Sequence, residues 1–120
     1  MRILAVDDEP EYLEMLQEVM KSLGHSITVT AGGDEALTVL DRQPIDVIIA
    51  DVRMPGMSGV QLHSEVRSRA KYRNTPFIFL SGYETPPELG PESRSDCDLF
   101  IRKPFPLEGL LQLFSGQKAL

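Results

Sequence analysis

The sequence predicts an α/β domain with a doubly wound parallel sheet, and three observations carry that reading. Short apolar runs alternate along the chain with stretches of helical periodicity. Each apolar run stops abruptly at polar residues: Asp7 and Asp8, Asp51, Ser81 and Lys103. The most continuous run, Val47-Ile48-Ile49-Ala50, lacks polar alternation, as a central strand with helices on both faces requires. Strand-helix alternation implies right-handed crossovers and parallel pairing. A barrel of eight such units needs roughly 250 residues, and the chain has 120.

The elements follow in order. Ile3 to Val6 reads as a buried strand, and Pro10 then permits a helix whose Leu13, Leu16, Met20 and Leu23 share one face before Gly24 stops it. His25 to Thr30 is rich in β-branched residues and reads as the second strand. A Gly-Gly-Asp turn leads into a helix with Ala36, Leu37 and Leu40 on one side, closed by Pro44. The third strand ends in Asp51, and after the MPGMSG loop a helix turns Leu62 and Val66 inward. Phe77 to Leu80, ending at Ser81, and Leu99 to Ile101, ending near Lys103, complete a five-stranded, flavodoxin-like arrangement. Leu107, Leu110, Leu111 and Phe114 form a last amphipathic helix. Between the last two strands, Pro86, Pro87 and the Gly90-Pro91 pair predict an irregular or shortened fourth helix, because a proline disfavours helical geometry at the residue before it.

Composition narrows the function. With 42% hydrophobic and 25% charged residues, the chain is that of an ordinary globular protein, expected to be one domain over residues 1–120 with no output domain. A net charge of −6 repels phosphate backbones, so direct nucleic-acid binding is not expected. A single cysteine, Cys97, suits a reducing compartment, and no apolar stretch approaches the roughly 20 residues of a membrane span. The opening MRILAVDDEP is too acidic for a signal peptide, so a cytoplasmic location is expected.

The chemistry gathers at one sheet edge. In a parallel sheet the carboxyl ends of the strands share an edge, and ligands bind there near the point where strand order reverses. That rule brings Asp7, Asp8, Asp51, Ser81 and Lys103 to one crevice. Carboxylates packed together resist joint ionisation unless a cation joins them. Hard oxygen donors with no Cys or His in the set suit Mg²⁺ rather than Zn²⁺. A metal needing one or two carboxylates leaves another free as a nucleophile toward phosphorus, with the ammonium and the hydroxyl placed to hold phosphoryl oxygens.

Four motifs, VDDEP after the first strand, IIADVRMPGMSG at the third, FLSG at the fourth and FIRKPF at the fifth, resemble the receiver domain of two-component response regulators. Their order and spacing are specific, and the resemblance runs from Met1 to about Ser115. It implies strand order 2-1-3-4-5. It implies Asp51 as the phosphorylated aspartate, and a Mg²⁺ or Mn²⁺ held directly by Asp8, mainly through water by Asp7, and by Asp51 and the backbone carbonyl of Arg53. It further implies Ser81 as the switch hydroxyl, Phe100 as the switch aromatic, Lys103 as the phosphoryl partner and a cis Lys103-Pro104 peptide. The implied partners are a sensor histidine kinase or phosphotransfer protein and a downstream effector protein; a homodimer through the last strand and helix stays open. The resemblance implies a signalling switch rather than an enzyme in the ordinary sense.

Other residues have plainer readings. Asp7-Asp8-Glu9 before Pro10 could be no more than an acidic turn at a helix start. Arg67, Arg69, Lys71 and Arg73 read as a solvated helix end, His63 as facing water, Cys97 as a small hydrophobe, and Met54 and Met57 as packing. Three rivals stand beside this reading, one of them a flavin-binding protein, which would want a phosphate-cradling Ser/Thr/Gly loop where Asp7, Asp8 and Glu9 stand. A pseudo-receiver acting by constitutive contacts would have lost an acidic residue, Asp51 or Lys103, and none is lost. An aspartyl-nucleophile phosphatase often carries a second carboxylate two residues after the first, where Arg53 stands.

Overall fold

A computed structural model describes residues 1–81 and 98–102. The elements are β1 (Arg2–Val6), α1 (Pro10–Ser22), β2 (Ser26–Thr30), α2 (Gly33–Arg42), β3 (Val47–Asp51), α3 (Gly59–Arg67), a 3₁₀ turn (Ala70–Tyr72), β4 (Phe77–Ser81) and β5 (Asp98–Arg102). All strand pairings are parallel, as the alternation of apolar runs and helical faces predicts, and the order is β2-β1-β3-β4-β5, as the receiver resemblance implies. The irregular fourth helix, the last helix and the Lys103-Pro104 bond lie outside the described residues. Among the described residues, no helix is long and apolar enough to cross a membrane.

The period of two along each strand sorts its side chains onto two faces. Leu4, Val6, Ile48, Ala50, Phe77 and Phe79 pack with Ala36 and Leu40 of α2 and Leu62 and Val66 of α3. Ile3, Ala5, Val47, Ile49, Ile78 and Leu80 pack with Leu13, Leu16 and Met20 of α1. β3 is buried at every position, which explains its unbroken apolar sequence. Each fully buried Ile, Leu or Phe in these layers contributes about 1.5–3 kcal/mol relative to exposure, and together they hold the sheet edge still.

Turn chemistry places the helix ends. Gly24 takes a positive φ of 85° just beyond α1, where a side chain would be strained. Ser58 caps α3 with a reciprocal pair: its hydroxyl accepts from Gln61 N at 3.1 Å, and Gln61 Oε1 accepts from Ser58 N at 2.8 Å. Gly59, the first residue of α3, donates its N–H to Val52 O at 2.8 Å. A Cβ on Gly59 would collide with the Asp51 carbonyl and the Val52 Cα, both backbone atoms that cannot swing aside.

Three sequence readings are corrected. His25 precedes β2 rather than opening it; it is buried, with its Nδ1 3.0 Å from the Met1 amine. His63 does not face water: it is buried beside Phe77 and Phe79 and hydrogen-bonded to Asp98. Arg67 is no part of a solvated basic end, because its guanidinium donates to Asp98 and to the Tyr72 carbonyl. Lys71 and Arg73 are exposed as read, and Met54 and Met57 pack into the core facing α2 and α3.

Gly59→Ala is expected to lower stability by about 1–3 kcal/mol, because overpacking forces backbone to move. Urea unfolding should show a lower midpoint at unchanged slope; a wild-type midpoint would contradict the close approach of α3 to the end of β3.

Candidate functional site

Strand register builds the site. Val6 pairs with Ala50, so the next residues along, Asp7 and Asp51, stand side by side at the carboxyl edge of the sheet. Asp51 pairs with Leu80, so Ser81 stands one step beyond it on the neighbouring strand, where it pairs with Arg102. The ladder is prolonged by Asp7 N donating to Thr30 O at 3.1 Å and Val52 N donating to Leu80 O at 2.9 Å. Both aspartates therefore sit on fixed backbone rather than on free loops.

Asp7, Asp8, Glu9 and Asp51 each offer a carboxylate oxygen, and these oxygens all lie within 4.8 Å of one another. Asp7 is 1% and Asp51 8% exposed, while Asp8 and Glu9 are exposed. The cluster is thus a shallow cleft with two carboxylates in its floor and two at its rim. Backbone N–H groups turn toward the floor: Glu9 N donates to Asp7 Oδ1 at 3.0 Å, and Arg53 N donates to Asp51 Oδ1 at 3.3 Å.

Two ionised carboxylates at 4.8 Å repel by about 3 kcal/mol at an effective dielectric constant of about 20. The two N–H donors offset part of this. A small divalent cation that keeps several waters fits such a set of hard donors, and Mg²⁺ satisfies its octahedron with one or two protein carboxylates. No His or Cys enters the cluster among the described residues, which argues against zinc.

Asp7, Asp8 and Asp51 are brought together as the sequence reading expects. Glu9 joins them, a residue read from the sequence only as part of an acidic turn. Its signal was there: it directly follows the two aspartates and precedes the Pro10 that starts α1. Arg53 is exposed, with its N–H on Asp51. Ser81 and Phe100 take their places in β4 and β5, and Lys103 and Pro104 lie outside the described residues.

A family model, that of the response regulator receiver domain, matches residues 3–115. The chain belongs to this family. The receiver is similar to the chemotaxis protein CheY4 of Vibrio cholerae, with 34% identity, a TM-score of 0.85 and 96% of each chain covered. It is also similar to the receiver domain of a Pseudomonas aeruginosa sensor histidine kinase that has a magnesium ion coordinated in its active-site cleft: 27% identity, TM-score 0.81, and 96% of this chain and 94% of that one covered. Among curated proteins it is 32% identical over 110 residues to the transcriptional regulatory protein GlrR of Escherichia coli, matching 92% of this chain and 24% of that protein. The receiver therefore spans about a quarter of the length of that relative.

Saturating Mg²⁺ is expected to raise the thermal midpoint; at about 100 times its Kd it would add about 2.7 kcal/mol. Asp7→Asn and Asp51→Asn should each raise the metal-free midpoint, by relieving like charge, and shrink the Mg²⁺ shift. A wild type unmoved by Mg²⁺, or variants with lowered metal-free midpoints, would contradict the reading of the cluster.

Proposed function

We propose that this receiver accepts a phosphoryl group on Asp51 in a Mg²⁺-dependent relay from a histidine-bearing partner, and that the modification changes a protein-interaction face. The observation that carries the proposal is the convergence of the Asp7, Asp8, Glu9 and Asp51 oxygens within 4.8 Å at the carboxyl edge of the sheet. In the transfer, an Asp51 carboxylate oxygen bonds to phosphorus as the phosphorus–nitrogen bond of a phosphohistidine breaks, its electron pair returning to the imidazole. Asp51 becomes a mixed carboxylic–phosphoric anhydride.

When bound, Mg²⁺ would neutralise charge on the phosphoryl oxygens. Asp7, Asp8 and the Arg53 carbonyl would hold it beside Asp51, and the magnesium-bearing cleft of the Pseudomonas relative supports that choice of metal. The chain's own part is positioning. β3 and the Arg53 N–H fix the Asp51 carboxylate, which lowers the entropy cost of in-line attack. Lys103 would pair with the phosphoryl group, and Ser81 would turn its hydroxyl to it. The space Ser81 vacates would then be taken by Phe100, so that the surface around β5 changes shape for an effector protein to read. Arg53 and Tyr83, each two residues after a key position, would shield the anhydride from water, giving slow self-hydrolysis. The acidic cluster and Lys103 are all present in the sequence, which favours this reading over a pseudo-receiver.

Incubation with Mg²⁺ and a small acyl phosphate, followed by intact mass measurement, tests the proposal. Wild type should gain one phosphoryl group, and Asp51→Asn should gain none. An unlabelled wild type sinks the phospho-accepting role, and equal labelling of the variant would place the acceptor elsewhere.

A further inference from the structure

A second charged cluster lies away from the acidic cleft, at the opposite end of β5. The carboxylate of Asp98, the first residue of β5, is fully buried. Its Oδ1 accepts from Arg67 Nη2 at 2.6 Å and its Oδ2 lies 3.0 Å from His63 Nε2. Both donors come from α3, one helical turn apart, and their side chains are only 16% and 7% exposed. Arg67 Nη1 also donates to Tyr72 O at 2.8 Å, which ties the cluster to the 3₁₀ turn. From β4, the His63 ring meets Phe77 edge-on at 5.0 Å and Phe79 at 5.2 Å.

The protonation states follow from the donor inventory. A carboxylate only accepts, so neutral His63 carries its proton on Nε2 and gives it to Asp98. Among the described residues, Arg67 and Asp98 then cancel in charge. A second proton, on Nδ1, would leave a net positive charge in a site walled by two phenyl rings. Among the described residues, the charged groups facing His63 are Asp98 of β5, which favours that proton, and Arg67 of α3, which opposes it; β4 presents only phenylalanines. Burial is the largest influence and holds the imidazole below the ordinary histidine value despite Asp98.

We propose that His63, Arg67 and Asp98 form a proton-sensitive positioning latch that fixes β5 to α3 and, through β5, steadies the carboxyl edge of the sheet beside the acidic cleft. β5 spans five residues, so the latch lies roughly 15 Å along that strand from the carboxyl edge of the sheet. The consequence for the acidic cleft rests on the phosphoryl-accepting reading; the latch itself does not.

The sign follows from linkage. An unfolded or unlatched His63 binds a proton near its ordinary value of 6.5, and the latched one binds it only at lower pH. The open form therefore takes up more protons as pH falls below 6.5, and latching is lost through that window. Amide exchange at residues 98–102, divided by intrinsic rates, should lose protection by about tenfold for each unit by which His63 is depressed. His63→Gln keeps a donor to Asp98 without titrating and should show a flat profile.

NMR titration of the His63 imidazole in the wild-type chain gives a second, variant-free measurement. Its midpoint should lie below the ordinary histidine value and mark the low-pH end of the loss of protection. An ordinary or raised midpoint, or the same pH profile in wild type and His63→Gln, overturns the latch. The ratio of Asp51 labelling rates, wild type over His63→Gln, should fall across the same window; a constant ratio overturns the link from β5 to the cleft. Absence of labelling in both proteins is failure of the phospho-accepting reading instead, and the exchange profile still decides the latch.

Discussion

Like charge held at close quarters is the constraint on which the rest of this molecule depends. Asp7 and Asp51 would separate in water, yet the pairing of Val6 with Ala50 leaves their backbones no freedom to do so. The force that opposes the repulsion is remote from it: two apolar layers, with α1 on one side and α2 and α3 on the other, bury the strands that carry the aspartates. A cleft of this kind is a poor site for an anion alone and a good one for a divalent cation. Stability and chemistry are coupled here, because the carboxylates that repel one another are the donors a divalent cation would use.

The support extends to the backbone behind the site. The loop after Asp51 turns through Gly56, whose φ is 77°, and re-enters a helix at Ser58 and Gly59. The cap at Ser58 fixes where α3 starts, and Gly59 lets that start lie directly on the end of β3. Side-chain precision at Asp51 is thus a product of turn residues several positions away. α3 serves twice, since its first turn abuts β3 and its later residues, His63 and Arg67, grip β5.

Much of this was legible in the sequence because the relevant signals are local. VIIA before Asp51 has the composition of a strand covered on both faces, and the Pro10 and Gly24 boundaries set α1 to within a residue or two. Strand ends in a parallel sheet share an edge, so the acidic residues could be placed together without coordinates. What escaped depends on partners distant along the chain. Asp98 lies 35 residues from His63 and 31 from Arg67, and nothing local marks the pairing. The burial of His63 did have a local signature. Positions 59, 62, 63 and 66 form one helical face, and Gly59, Leu62 and Val66 on it are all buried. The polarity of histidine outweighed its position. Glu9 was likewise read as a helix-start residue because its type suits that role, although its oxygen reaches the cleft.

The central claim is that carboxylates from the ends of β1 and β3 make one cation-holding, phosphoryl-accepting cleft. A crystal structure with Mg²⁺ and beryllofluoride tests it most directly. The account predicts beryllium bonded to an Asp51 carboxylate oxygen and Mg²⁺ bridging that group to the Asp7-Asp8 pair. Beryllofluoride on another residue, or Mg²⁺ bound away from Asp51 with the cleft unchanged, would contradict it.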